Sequence, residues 1–136
     1  MTTLQIAPLH PSLGAEVAGV DLSRPIDGPT RQALSRALGD HLALVFHDQS
    51  LTPAQYLAAA SVFGPPMEQH YSSKAYMSDL IDRMIRPEIV YHHAWRKGDV
   101  LVIDNRATMH RAHGDYDRTQ SRVLWRIIVE GDRPTL

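Results

Sequence analysis

The hydrophobic periodicity of the chain changes near its middle, and this change limits the folds that the chain can adopt. Apolar residues recur at helical spacing over residues 30–42 and 53–63, whereas they alternate with a period of two after Pro87. Helical spacing predicts amphipathic helices, and a period of two predicts strands with one buried face. The sequence therefore predicts an α+β fold, in which a mixed first half is followed by an antiparallel meander of strands.

The first half contains signals for four elements. Residues 16–22 alternate and precede a turn-rich stretch, which indicates a short strand. The stripe over residues 30–42 predicts a helix, and the apolar run at residues 43–46 predicts a strand. The pair Thr52-Pro53 combines an N-cap with a proline at the first helical position, and it predicts a second helix that runs to about Phe63.

The second half begins with a stretch that has no clear pattern, at residues 67–76, and a helical stripe follows at residues 77–85. A strand is then predicted because four residues share one face at a period of two: Ile89, Tyr91, His93 and Trp95. Lys97-Gly98 predicts a turn. Further strands are predicted at residues 100–103, 108–112 and 122–129.

The composition excludes several classes of function. The net charge of −1 and the scattered basic residues argue against a nucleic-acid or anionic-membrane partner. The absence of cysteine excludes disulfides, thiolate nucleophiles and cysteine-based metal sites, and it fits a cytoplasmic protein. No signal peptide and no membrane-spanning apolar run are recognisable. The eight histidines make imidazole the expected ligand if the chain holds a transition metal. Of the adjacent His92 and His93, one is expected to face inwards as a structural histidine. His47 and Asp48 follow an apolar run and are expected to form a solvated turn.

Two arginines near the C-terminus lie four residues apart in the last predicted strand. Arg122 and Arg126 would therefore share a face, roughly 13 Å apart, together with the apolar Leu124 and Ile128. Two interpretations remain open. The arginines are either edge-strand residues that face water, or two anion clamps that line one cavity and bind carboxylate or sulfonate groups bidentately.

Two blocks of the sequence resemble the TauD/TfdA family of Fe(II)- and 2-oxoglutarate-dependent dioxygenases. In the N-terminal block the resemblance rests on LGAEVAGVDLSRPI, ALVFHDQSLTPAQ and a helix that ends in FGP. In the C-terminal block it rests on IRPEIVYHHAWRKGDVLVIDNRATMH, followed by DY, by R-x-x-x-R and by GDRP. Both blocks stand in the order that is typical of the family.

The resemblance implies a partial double-stranded β-helix, a jelly-roll variant, with flanking helices. It implies Fe(II) held by a facial triad of two histidines and one carboxylate, with 2-oxoglutarate as co-substrate, O₂ and a small anionic substrate. By resemblance, His110 is the distal iron ligand and Arg122 binds the far carboxylate of 2-oxoglutarate. Arg126 would hold the anionic group of the substrate, and His70 would contact the substrate.

The chain departs from the family in its middle. The W-H-x-D segment, which supplies the first histidine and the carboxylate, has no counterpart between the two blocks. His113 alone is followed by x-D, but His113 and Asp115 lie too close to His110 for three ligands on opposing strands. We therefore interpret Asp115-Tyr116 as the family's DY pair. The sequence predicts one internally shortened domain, 1–136, with blocks at residues 1–70 and 77–136 that meet in the patternless stretch.

Three hypotheses follow from this departure. The chain belongs to a dioxygenase lineage but is inactive or impaired, or it is a non-catalytic remnant that binds a dicarboxylate through Arg122 and Arg126. A third hypothesis is an internally deleted product of a longer gene. Because about four core strands remain of the usual eight, we expect an uncovered apolar face, and hence marginal stability or a homo-oligomer.

Overall fold

The computed structural model describes residues 3–67, 86–112, 114, 117, 119, 121 and 123–131. These residues form one mixed four-stranded sheet with two α-helices, which agrees with the predicted α+β class. The strands are β1 (Gln5–Pro8), β2 (Ala15–Ala18), β3 (Ala43–Phe46) and β4 (Val100–Ile103). The helices are α1 (Gly28–His41) and α2 (Pro53–Ala60), and a short 3₁₀ helix spans Pro87–Ile89.

The strand order in the sheet is β1-β2-β3-β4. The strands β1 and β2 are antiparallel, β2 and β3 are parallel, and β3 and β4 are antiparallel. The parallel pair requires a crossover, and α1 supplies it. All four residues of β3 are buried, since this strand has a neighbour on both sides. The core therefore forms around β3, where Leu44 and Phe46 pack with Leu34 of α1 and Ala59 of α2.

Both helices begin at caps that the sequence supplies. The carboxylate of Asp27 accepts a hydrogen bond from the backbone N–H of Thr30 at 2.7 Å, at the start of α1. Thr52 and Gln55 form a reciprocal capping box at the start of α2. The helix α1 ends at His41 and is capped by Leu42, which has a positive φ of 63° and donates its N–H to the carbonyl of Leu38. The two helices predicted in the first half are thus confirmed, although α2 ends at Ala60, before Phe63.

The first half also contains two differences from the prediction. The strand predicted at residues 16–22 stops at Ala18, because Gly19 turns the backbone with a φ of 82°. A Cβ at Gly19 would overlap the carbonyl oxygen of Thr3, so the close approach of β1 requires glycine here. The strand β1 was not predicted, since Gln5–Pro8 is mostly exposed and shows no clear alternation.

The strand prediction for the second half is largely wrong. Residues 90–95 follow the 3₁₀ helix without forming a strand, and residues 108–112 and 123–128 are irregular. An isolated bridge joins Pro66 to Val129. A period-two pattern makes a strand only where a neighbouring backbone pairs with it over several residues, and among the described residues of the second half only β4 does so. The helical stripe predicted at residues 77–85 lies outside the described residues.

One four-stranded sheet is only part of what a double-stranded β-helix needs, so the jelly-roll architecture stays a prediction. Across the part of the chain that the structure describes, no helix is both long enough and apolar enough to cross a membrane.

Candidate functional site

His110 lies in the segment that follows β4. Asp104 closes the end of the strand, since its backbone N–H donates to the carbonyl of Leu42 at 2.9 Å. Its own carbonyl accepts from the backbone N–H of Thr108 at 3.0 Å and from the hydroxyl of Thr108 at 2.7 Å. The backbone N–H of Arg106 lowers the pKa of the Asp104 carboxyl below its usual range. This turn fixes the direction of the chain towards His110, whose side chain is exposed.

An iron site needs more than this single histidine. No group of three His, Cys, Asp or Glu side chains among the described residues is arranged to hold a metal ion. His113 and Asp115, the H-x-D match, lie outside the described residues, and so does His70. The described residues therefore do not fit a facial triad, and they provide one candidate ligand, His110.

Arg126 lies exposed in a segment that α2 anchors. The hydroxyl of Tyr56 donates to the carbonyl of Trp125 at 2.9 Å, and the two rings lie 5.7 Å apart. Further along, the backbone N–H of Met67 donates to the carbonyl of Ile128 at 2.9 Å. The N- and C-terminal blocks are thus in contact here. Arg122, the second predicted clamp, lies outside the described residues.

A cluster of buried polar side chains, which the sequence did not predict, lies at the other end of β4. Asp99 immediately precedes β4, and its side chain has no solvent exposure. Its Oδ1 lies 2.6 Å from Nδ1 of His47, which immediately follows β3, and its Oδ2 lies 3.1 Å from Nε2 of His93. The backbone N–H of Arg96 donates to Oδ2 at 2.9 Å, and the hydroxyl of Tyr91 lies 3.2 Å from Nδ1 of His93. We refer to Tyr91, His93, Asp99 and His47 as the Asp99 cluster.

The hydrogen-bond partners fix the protons in this cluster. An ionised carboxylate only accepts hydrogen bonds, so Nδ1 of His47 and Nε2 of His93 must both carry protons. In neutral His93, Nδ1 is then an acceptor, and the Tyr91 hydroxyl donates to it. No buried side-chain nitrogen or oxygen in the described part of the chain lacks a partner. The cluster is therefore fully satisfied when His93 is neutral and Asp99 is ionised.

The pKa shifts agree with this assignment of protons. Burial opposes ionisation of Asp99, but the hydrogen bonds from His47 and from the Arg96 backbone outweigh it and lower the pKa of the carboxyl. Burial lowers the pKa of His93 despite the attraction of the Asp99 charge. Burial also raises the pKa of the Tyr91 phenol, and the nearby Asp99 charge adds to this effect.

Two of the sequence predictions concern His47, His92 and His93. The prediction that one of His92 and His93 faces inwards is confirmed, since His93 has a side-chain exposure of 9% and His92 is exposed. His47 and Asp48 were predicted to form a solvated turn, which is correct for the exposed Asp48 and wrong for His47. The pairing of His47 with Asp99 spans 52 residues, so no local signal could reveal it.

The Asp99 cluster and the His110 segment lie at opposite ends of β4. Asp99 and Asp104 are five residues apart across the strand, or roughly 16 Å. Three side chains of the cluster, those of His47, Tyr91 and His93, line an open groove of about 400 Å³ together with Leu9, Glu16 and Trp95. The groove is therefore separate from the candidate iron ligand.

Comparison with known proteins assigns the class. The model of the family described as "Taurine catabolism dioxygenase TauD, TfdA family" matches residues 5–82 and, separately, residues 72–128. Together these segments cover most of the chain, and the chain belongs to this family.

Several individual proteins are similar to parts of the chain. An (S)-phenoxypropionate/alpha-ketoglutarate-dioxygenase of Sphingobium herbicidovorans is 38% identical over 60 residues, which are 44% of this chain and 21% of that protein. An alpha-ketoglutarate-dependent 2,4-dichlorophenoxyacetate dioxygenase of a Burkholderia species is 32% identical over 75 residues, 55% of this chain and 24% of that protein. A taurine dioxygenase from Burkholderia xenovorans, known from a crystal structure, has 36% sequence identity to this chain. The match covers 46% of this chain and 22% of the dioxygenase chain, with a TM-score of 0.45. The chain thus spans about a quarter or less of the length of these proteins.

Proposed function

We propose that the chain derives from an Fe(II)- and 2-oxoglutarate-dependent dioxygenase of the taurine dioxygenase type, and that the chain by itself is inactive or impaired. The complete enzyme would oxidise a small anionic compound, a sulfonate or a carboxylate, with O₂ as the oxidant. The observation that carries the proposal is the family match combined with a single candidate iron ligand, His110, in the described residues.

The two family matches support an internally shortened domain. They overlap only over residues 72–82, close to the predicted junction of the two blocks. In this proposal residues 1–70 and 77–136 are the two ends of one domain, and the segment with the H-x-D ligands is missing between them. Reading the encoding DNA around residue 72 for a lost in-frame segment tests this point.

The proposed roles of the remaining residues follow the family pattern. Arg122 would bind the far carboxylate of 2-oxoglutarate, Arg126 would bind the anionic group of the substrate, and His70 would contact the substrate. The exposure of Arg126 supports its role, since its guanidinium is accessible to an anion. The names of two relatives refer to phenoxypropionate and dichlorophenoxyacetate, which are both carboxylates and support an anionic substrate.

An assay of 2-oxoglutarate decarboxylation with Fe(II), ascorbate and the purified chain tests the proposed loss of activity. We expect no CO₂ release above the protein-free control, because one ligand cannot form a facial triad. Turnover by the wild-type chain that disappears in His110→Ala would contradict the proposal, since it would require two further ligands.

A non-catalytic remnant that binds a dicarboxylate is the second candidate. The absence of a three-ligand group in the described residues favours it, since arginines bind carboxylates without a metal. Calorimetry with 2-oxoglutarate, with and without Fe(II), separates the candidates. Metal-independent binding that is lost in Arg122→Ala or Arg126→Ala, but kept in the control Arg36→Ala on α1, favours the remnant. Binding that requires Fe(II) contradicts it.

We also propose that the chain covers its exposed apolar residues by self-association. The run Val123–Trp125 supports this proposal, because its three side chains are between 51% and 78% exposed. Size-exclusion chromatography tests it, and a stable monomer with well-protected amides would contradict it. A cytoplasmic location stays a prediction that rests on the absence of cysteine.

A further inference from the structure

The Asp99 cluster fastens an irregular segment to the sheet. Residues 90–95 form no strand, so backbone pairing does not hold them against β3. The side chain of His93 reaches the buried Asp99 instead, and Tyr91 completes the chain of hydrogen bonds. On the opposite side, His47 connects the same carboxylate to the end of β3. The carboxylate is thus the joint through which two distant parts of the chain are connected.

Protonation of His93 would change both the charge and the hydrogen bonds of this buried joint. Asp99 carries one negative charge, and the rings of His47 and His93 stack with their centres 6.5 Å apart. A second proton on His93 would place a positive charge on a side chain that is only 9% exposed, next to the stacked ring of His47. A second proton on His93 would also occupy Nδ1, so that the Tyr91 hydroxyl could no longer donate to it.

The groups around His93 come from several elements. Asp99 attracts a positive charge on the ring, whereas His47 and Arg96 repel it. Glu16 of β2 lines the same groove, and its negative charge contributes to the raised pKa of Tyr91. The pKa of His93 stays below its ordinary value because burial outweighs the attraction of Asp99.

We propose that the Asp99 cluster is an acid-sensitive latch, which holds residues 91–95 against the end of β3 at neutral pH and releases them when His93 takes a second proton. The release is local. The backbone N–H of Gln49 still donates to the carbonyl of Gly98 at 2.7 Å, and the hydroxyl of Ser12 still donates to the carbonyl of Glu88 at 2.9 Å. Neither bond involves a group that titrates near neutral pH, and the latch needs neither metal nor 2-oxoglutarate.

The sign of the pH dependence follows from the lowered pKa of His93. The folded form prefers neutral His93, so the latch is fully closed above the ordinary histidine value of 6.5. Its stabilising effect is lost as the pH falls through the lower pKa that His93 has in the folded chain. The lowered pKa of Asp99 acts in the same direction at more acidic pH, below 3.8, so the first opening step belongs to His93.

Trp95 reports on this step, because its ring lies edge-on to His93 with the centroids 4.7 Å apart. The full chain with Trp125→Phe leaves Trp95 as its single tryptophan. Its fluorescence is titrated between about pH 8 and about pH 4.5, while far-UV circular dichroism monitors the overall fold. We expect one reversible transition with a midpoint below 6.5 and with unchanged dichroism. A missing transition, or unfolding over the same range, overturns the proposal.

Variants in the same background assign the transition. His93→Gln should abolish it, and the control His41→Gln at the end of α1 should keep it unchanged. A transition that persists in His93→Gln overturns the proposal. If His93→Gln does not fold, Tyr91→Phe decides, since it removes only one hydroxyl. Loss of the donor that stabilises neutral His93 should shift the midpoint to higher pH, and an unchanged or lower midpoint overturns the latch.

Discussion

Replacement of Gly64 by alanine should separate the end of the N-terminal block from the C-terminal segment. Gly64 has a φ of 156°, and a Cβ at this position would overlap the carbonyl oxygen of Glu130. The carbonyl belongs to backbone and cannot move aside as a flexible side chain would. We therefore expect Gly64→Ala to push residues 128–130 away from the loop that follows α2.

The size of the effect follows from the hydrogen bonds that this movement breaks. The backbone N–H of Glu130 donates to the carbonyl of Pro65 at 2.7 Å, and that of Met67 donates to the carbonyl of Ile128 at 2.9 Å. Each such bond contributes about 0.5–1.5 kcal/mol, so their loss should lower the free energy of unfolding by about 1–3 kcal/mol. The same movement would displace the segment that carries Arg126.

Urea denaturation followed by circular dichroism measures the free energy of unfolding, and hydrogen exchange of the Met67 and Glu130 amides localises the change. The matched control is Gly39→Ala, because Gly39 lies inside α1 and its added Cβ would meet no atom within 4 Å. This control should stabilise the chain by about 0.5–1 kcal/mol. If Gly64→Ala leaves both the stability and the protection of the two amides unchanged, the two blocks do not make this contact.

Three further predictions test the fold. Phe46→Ala should lower the free energy of unfolding by about 3–5 kcal/mol in urea denaturation, because Phe46 is fully buried in β3. Val123→Ala is the control, since the Val123 side chain is 78% exposed, and it should change the free energy of unfolding by less than about 0.5 kcal/mol. Equal losses of stability in Phe46→Ala and Val123→Ala would refute the placement of the core. Thr52→Ala should lower the free energy of unfolding by about 1 kcal/mol, because it removes the capping box, whereas Thr52→Ser should retain most of that stability. Equal free energies of unfolding for these two variants would contradict the cap. Tyr56→Phe should cost about 1 kcal/mol and increase hydrogen exchange near Trp125, since it removes the bond to the Trp125 carbonyl.

The helices could be predicted because their signals are local. Thr52-Pro53 and the stripe that includes Leu34 and Ala37 specify a start and a buried face without reference to the rest of the chain. The apolar run of β3 was equally clear, since a strand with neighbours on both sides is buried throughout. The motifs around His110 also identified the family, which the comparison confirms.

The second half could not be predicted in the same way, because a strand depends on a partner elsewhere in the chain. The alternation around His93 did indicate which side chain faces inwards, although no strand forms there. The partner of that segment is a side chain, Asp99, and not a neighbouring strand. Local periodicity records which face is buried, but it does not record what covers that face.

The sequence by itself determined the family, the two capped helices, the central strand and the candidate ligand His110, since each depends on residues that are close together along the chain. Only the tertiary structure decided which strands pair, that β1 joins the sheet, and that His47 and His93 meet on one buried carboxylate. The physical reason is distance along the chain. The bond between His47 and Asp99 closes a loop of 52 residues and exists only once β3 and β4 have paired.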